Sequence, residues 1–129
     1  MIVVDASALV AIAEREPEKQ QFLSVLDRSR VSYLSPINDV ETGVVLIQRR
    51  LLTDAAELVD WLTGLGVTQR EDVELGAAAL EAYLQFGKGF HPARLNLADC
   101  FAYALAKELD LPLLYKGDDF AKTDIRSAI

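Results

Sequence analysis

The chain opens on three consecutive β-branched apolar residues, Ile2 to Val4, stopped by Asp5. A short apolar run without alternation predicts a strand buried on both faces. Ser7 is placed to N-cap a short helix through Ala13. Pro17 fits the first turn of a second helix, in which Phe22, Val25 and Leu26 recur at helical spacing to about Arg28. Val31 to Leu34 reads as the next strand. Asn38 precedes a helix with apolar positions at Val40, Val44, Ile47 and Leu51, and Thr53 can cap another that carries Ala55, Leu58, Val59 and Leu62 and ends at Gly64 and Gly66.

Val67 to Gln69 forms a brief strand in this reading, followed by a helix marked by Val73, Ala77, Leu80 and Leu84 that stops before GKGFHP. Asn96 opens the last long helix, through Leu109. Leu113 to Tyr115 is a third clear strand, and Ile125 begins a terminal one. Strands alternating with helices predict an α/β fold: a central parallel sheet of four to five short strands with helices on both faces, in a single domain spanning 1–129. There are no repeats, linkers or low-complexity segments, and Gly87 to Pro92 reads as a flexible connection.

Composition narrows the chemistry. A length of 129 residues suits one domain, and an apolar fraction of 51% agrees with a real core. The formal charge of −7 opposes a broad basic face for nucleic acid, so a polyanionic substrate would have to be held locally. The single cysteine, Cys100, excludes an internal disulfide and reads as a half-buried helix residue. With only one histidine, His91, a Cys/His zinc site has too few ligands. No segment approaches the ~20 apolar residues that span a bilayer, and no basic leader precedes Asp5, so a soluble cytoplasmic protein is expected.

The acids stand where elements begin or end. Asp5 closes the first strand, Glu41 and Asp99 are each expected in the first turn of a helix, and Asp118 and Asp119 follow the Leu113 strand. In open parallel sheets ligands collect beyond the carboxyl ends of the strands, so the first and last of these places can meet. Glu41 and Asp99 are each expected to flank an apolar stripe. Helix capping competes with this reading, because Asn38-x-x-Glu41 and Asn96-x-x-Asp99 both have the spacing of a capping box. Capping does not explain why Asp5 ends an apolar strand or why an acid pair follows another. Together the acids favour a site for Mg²⁺ or Mn²⁺, which prefer hard oxygen ligands, and metal-assisted phosphodiester hydrolysis.

Two other readings stay open. An aspartyl-phosphate phosphatase also starts from a strand ending in Asp, although its second Asp is replaced here by Ser7. A binding module would keep the acids for capping alone. The GKG at Gly87 to Gly89 is too short for a phosphate loop. His91 reads as a surface residue before a general base, and Trp61 and Leu62 as core or interface. Arg49, Arg50, Lys88, Arg94 and Lys116 are candidates to line a path for RNA phosphates.

The opening MIVVDASALVAI, the Glu41 helix, LNLADCFAYALAKELDLPLLY and the closing KGDDFAKTDI resemble the PIN-domain ribonucleases, specifically the VapC-type toxins of toxin–antitoxin pairs. The resemblance implies a PIN-like fold and a Mg²⁺- or Mn²⁺-dependent endoribonuclease leaving 3′-hydroxyl and 5′-phosphate ends. It matches Asp5, Glu41 and Asp99 to the family's acids and places the fourth in GDDF, assigned to Asp119 with Asp118 as the alternative. Asp5 and Asp99 would ligate the cation directly, while Glu41 and Asp119 complete the pocket. Ser7 and Asn96 occupy supporting positions. Tyr115 departs from a common Thr, and the polar pair Asn38 and Asp39 is unusual before the Glu41 helix. The resemblance also implies a cognate VapB-like antitoxin and a homodimer.

Overall fold

The computed structural model describes residues 1–129. Four strands, β1 (Ile2–Val4), β2 (Ser32–Leu34), β3 (Val67–Gln69) and β4 (Leu113–Leu114), form one parallel sheet in the order β3-β2-β1-β4. Val3 is the hub, paired with Tyr33 on one side and Leu113 on the other. The predicted terminal strand shrinks to a single parallel bridge between Leu113 and Ser127. The helices are α1 (Ala6–Ala13), α2 (Lys19–Arg28), α3 (Pro36–Gln48), α4 (Ala55–Gly64), α5 (Gly76–Phe86) and α6 (Leu97–Leu109), followed by a 3₁₀ turn at Phe120–Lys122. None is long and apolar enough to cross a membrane.

Because side chains of a strand point alternately to opposite faces, the short apolar runs feed two separate cores. Val3 and Leu113 join α5 and α6 residues such as Ala79, Phe86, Tyr103 and Leu105. Ile2, Val4, Leu34 and Leu114 join Leu9, Phe22, Leu26, Leu58 and Leu62 from α1, α2 and α4. Helix α3 packs against α1 and α6 and so stands between the layers. Gly43 of α3 lets α4 approach, since a Cβ there would lie 2.9 Å from Leu58 Cδ2.

The structure corrects several details of the sequence reading. Asp5, not Ser7, caps α1. Pro17 lies in the turn before α2 rather than inside it. Ser35 caps α3, with Pro36 in its first turn, so Asn38 is already helical and Glu41 sits beyond the first turn. Asp54, not Thr53, caps α4. Helix α5 starts at Gly76, after Val73. The apolar stripes expected on two helices face outward: Val40 is 63% exposed, Val44 49% and Leu80 62%. The buried faces are instead Asn38, Thr42, Gly43 and Leu46 on α3, and Ala79, Ala82 and Phe86 on α5.

The Gly87 to Pro92 segment is tied down at its base, where Lys88 N–H donates to Leu95 O and Leu95 N–H to Phe86 O, each at 3.0 Å. Gly87 is required there: a Cβ would lie 2.3 Å from the Tyr83 carbonyl oxygen. Cys100 is fully buried rather than half-buried.

Candidate functional site

Between β1 and β4 the order of the sheet reverses, since the chain leaves β1 for β2 on one side and returns as β4 on the other. A crevice at the carboxyl ends of the strands is expected at such a switch point. A cleft of about 620 Å³ lies there, lined by Asp5, Ser7, Glu41, Asn96, Asp99 and Asp119 among others. Every acid assigned from the sequence borders it. Asp118, the alternative fourth acid, does not.

Asp5 is 3% exposed. Its extended backbone ends β1 and caps α1, with Oδ2 accepting the Ser7 N–H at 3.0 Å. Its Oδ1 is buried without any hydrogen-bond partner. Burial pushes the carboxyl up from 3.8 to about 6; Ser7 opposes the rise, and the Glu41 charge adds to it. Ser7 Oγ also accepts the Lys116 N–H at 3.0 Å, tying the loop after β4 to the start of α1. A hydroxyl here gives no second carboxylate for aspartyl-phosphate chemistry, and the Lys116 contact gives Ser7 a structural use instead.

Glu41 is reached only through Asn38, one turn earlier on the same helix, which itself bonds across to α6. Asn38, fully buried, accepts from Ser35 Oγ at 2.5 Å and donates through Nδ2 to Ala98 O at 3.1 Å and, more loosely, to Glu41 Oε1 at 3.4 Å. The polar residue that looked anomalous in sequence is therefore the joint between α3 and the start of α6. Burial raises the Glu41 carboxyl; the Asn38 contact lowers it and the Asp99 charge raises it. Its neighbour Asp39 turns away and accepts from Gln69 Nε2 at 2.7 Å.

Asp99 belongs to a complete capping box: Asn96 Oδ1 accepts the Asp99 N–H at 2.8 Å, and Asp99 Oδ2 accepts the Asn96 N–H at 3.0 Å. The cap is formed and is compatible with the other reading weighed for this residue, because a carboxylate has a second oxygen to offer. Burial raises Asp99 from 3.8 to about 6, the Asn96 N–H lowers it, and the charges of Asp5 and Asp119 raise it further. Exposed Asp119 directly precedes Phe120, whose buried ring lies 5.2 Å from that of Tyr115 and anchors the loop.

Two of the five basic candidates, Arg49 and Lys116, reach the cleft; Arg50, Lys88 and Arg94 do not. His91 is structural, its Nδ1 accepting the Ala93 N–H at 3.0 Å and its ring standing edge-on to Phe86. Sequence reasoning missed Glu14 and Glu16, which also line the cleft. The dense charge run EREPEK after a short apolar helix was the available signal.

The donor set suits a hard divalent cation. It is all oxygen, it contains a buried oxygen with no partner, and its carboxyls repel one another. No three acidic, His or Cys side chains converge tightly enough to enclose an ion by themselves. One or two carboxylates with water in the remaining positions is the usual arrangement for Mg²⁺.

A four-stranded parallel sheet carrying clustered acids at its switch point defines a PIN-like α/β architecture, and the family model described as PIN domain matches residues 2–126. Ribonuclease VapC42 of Mycobacterium tuberculosis is 43% identical to this chain over 98% of both sequences. Ribonuclease VapC30 of the same organism is 39% identical over 96% of this chain and 95% of its own. A VapC ribonuclease of Rhizobium meliloti is 38% identical over 97% and 99%. The crystal structure of Mycobacterium tuberculosis VapC20, described as a sarcin-ricin loop cleaving toxin, superposes with a TM-score of 0.75. That superposition covers 97% of this chain and 96% of the other at 17% identity, a likeness of fold. The chain belongs to the PIN-domain family, in its VapC branch.

Proposed function

We propose that this protein is a divalent-cation-dependent endoribonuclease toxin that cleaves RNA phosphodiester bonds and is restrained by a cognate VapB-like antitoxin. The observation that carries this reading is the buried, unpartnered Oδ1 of Asp5 beside the carboxyls of Glu41 and Asp99, where the Glu41 charge raises Asp5, the Asp99 charge raises Glu41 and the Asp5 charge raises Asp99. Burying an unpaired polar atom costs stability, and a bound cation would offset it. The ribonuclease names of relatives at 38–43% identity support RNA as the substrate.

In this reading Asp5 and Asp99 would hold the cation, and Glu41 and Asp119 would complete the pocket and orient the attacking water. Mg²⁺ or Mn²⁺, when bound, supplies activation of that water and stabilisation of charge on the scissile phosphate. Ser7 fixes the Asp5 carboxylate by its N–H, and Asn96 fixes that of Asp99. Asn38 sets the distance between the α3 and α6 acids.

The antitoxin would bind a groove formed by the N-terminal helices and present a basic side chain, an Arg, to the acids, since a guanidinium pairs bidentately with carboxylates and competes with metal. The chain works in the cytoplasm as a homodimer. Incubation of purified protein with total RNA tests the core of the proposal. Cleavage is expected with Mg²⁺ or Mn²⁺, none in EDTA, and none from Asp99→Asn, which keeps an oxygen for the Asn96 N–H. Equal cleavage in EDTA and Mg²⁺ overturns the mechanism.

A further inference from the structure

The cleft is lined by six acids, Asp5, Glu14, Glu16, Glu41, Asp99 and Asp119, against two cations, Arg49 and Lys116. An RNA strand entering it is repelled unless those cations receive its phosphates. Both cations are already engaged. Arg49 Nη1 pairs with Glu14 Oε2 across the C-terminal ends of α3 and α1. Lys116 Nζ pairs with Glu16 Oε2 and lies 3.0 Å from Glu18 Oε2, which is closed off from solvent and has no other polar partner.

Lys116 differs from Arg49 in how firmly it is placed. Its N–H donates to Ser7 Oγ and the Ser7 N–H donates to Asp5 Oδ2, both at 3.0 Å, so its backbone stands two hydrogen bonds from the buried acid. Its side chain is about one-third exposed, against half for Arg49. The two glutamates come from the turn between α1 and α2, where Arg15 takes φ 56° and the Glu16 N–H bonds Ala11 O at 2.9 Å. A left-handed Arg is costly, and such a residue persists where its surroundings impose it. This one turns the chain so that Glu16 borders the cleft.

We propose that Lys116 receives a backbone phosphate of the RNA strand beside the carboxylate pocket, and that Glu16 and Glu18 are resident competitors that the strand displaces. An ammonium has three donors, so a phosphate oxygen can engage the one that the two glutamates leave before it displaces them from the others. This rests on the ribonuclease reading and adds to it a docking residue and the groups that weaken docking.

The test uses the full chain carrying Asp99→Asn, which silences cleavage, and a fluorescently labelled, mixed-sequence single-stranded oligoribonucleotide, followed by anisotropy from low to moderate salt. Lys116→Met should weaken binding roughly 10-fold and lower the log–log salt slope by about 0.7, the contribution of one phosphate contact on a single strand. Lys116→Arg should retain both. Glu16→Gln with Glu18→Gln should tighten binding several-fold beyond Asp27→Asn with Glu108→Gln, a pair of equal charge change outside the cleft.

Unchanged affinity and slope in Lys116→Met overturns the proposal. So does a glutamate pair no different from its control, or a background protein that fails to bind RNA at low salt. In the otherwise natural chain, Lys116→Met should keep the rise in melting temperature produced by Mn²⁺, while the loss of the partner of Glu18 Oε2 lowers the melting temperature with and without the ion alike. Loss of that rise would make Lys116 a support of the carboxylates instead and overturn its docking role. If the natural chain cleaves no RNA with Mn²⁺, the ribonuclease reading falls. If it cleaves and Lys116→Met matches it at limiting RNA, only the docking residue falls.

Discussion

Helices α3 and α6 each bring one acid to the cleft, yet they are built in opposite ways. Helix α6 buries Cys100, Ala102, Tyr103, Ala104, Leu105 and Ala106 and holds Asp99 by its own capping box. Helix α3 turns Val40, Val44 and Ile47 toward solvent, buries Asn38 and Thr42, and holds Glu41 by a contact that reaches α6. The acid on α6 is thus positioned by a capping box alone, and the acid on α3 by a neighbour in its own helix that is itself fixed by an α6 carbonyl. The physical difference is where the supporting polar group finds its other partners: Asn96 within its own turn, Asn38 across the interface at Ala98 O.

The largest stability effect should come from the well-packed side. Leu105→Ala removes a fully buried side chain from the α5–α6 core and should cost about 2–5 kcal/mol in chemical denaturation. A loss under about 1 kcal/mol would mean that α6 is not the rigid partner of the pair.

The next effect concerns the acids themselves. The Asp5 carboxyl is raised from 3.8 to about 6, so the stability linked to its protonated form is fully present below 3.8 and lost as pH climbs through 6. In EDTA the natural chain should therefore melt at a lower temperature at pH 7 than Asp5→Asn, by an amount bounded on the order of 3 kcal/mol, and the gap should close as pH falls toward 4. Asp72 and Asp124, whose carboxyls are lowered by Arg70 and by Tyr103 respectively, act in the opposite direction and are common to both proteins. Added Mn²⁺ should raise the melting temperature of the natural chain and not of the variant. A metal-independent destabilisation by Asp5→Asn would reduce Asp5 to a helix cap.

Asn38→Ala probes the joint between the helices. It strips Glu41 and Ala98 O of a donor and leaves Ser35 Oγ without its acceptor, at an expected cost of about 1–3 kcal/mol. Mn²⁺ affinity should fall roughly 10- to 100-fold, the usual consequence of losing an outer-shell partner. If calorimetry finds native Mn²⁺ affinity, Glu41 does not need its tertiary anchor. The smallest effect is expected on the outward face of α3, where Val44→Ser should change stability by less than about 0.5 kcal/mol in dilute protein. The same substitution should lower the mass measured by light scattering at high concentration if this face joins two copies. An unchanged dimer would place the contact elsewhere.

The sequence by itself determined the elements whose signal is local. Ile2–Val4 could only be a strand sunk between two layers, Asn96-x-x-Asp99 carried its own cap, and the alternation of strands and helices led to the parallel sheet. The acids at element ends were legible because strand ends of a parallel sheet gather on one edge. Which face of α3 and α5 turns inward was not legible, since a hydrophobic stripe marks the core only when nothing else claims the position. On α3, buried Asn38 bonds across to α6, and on both helices small residues face inward. The presence of Glu14 and Glu16 on the rim of the cleft and the engagement of Lys116 by two glutamates depend on how loops distant in sequence meet. No spacing rule encodes those meetings, because they are fixed where α1, the turn that follows it and the loop after β4 come together.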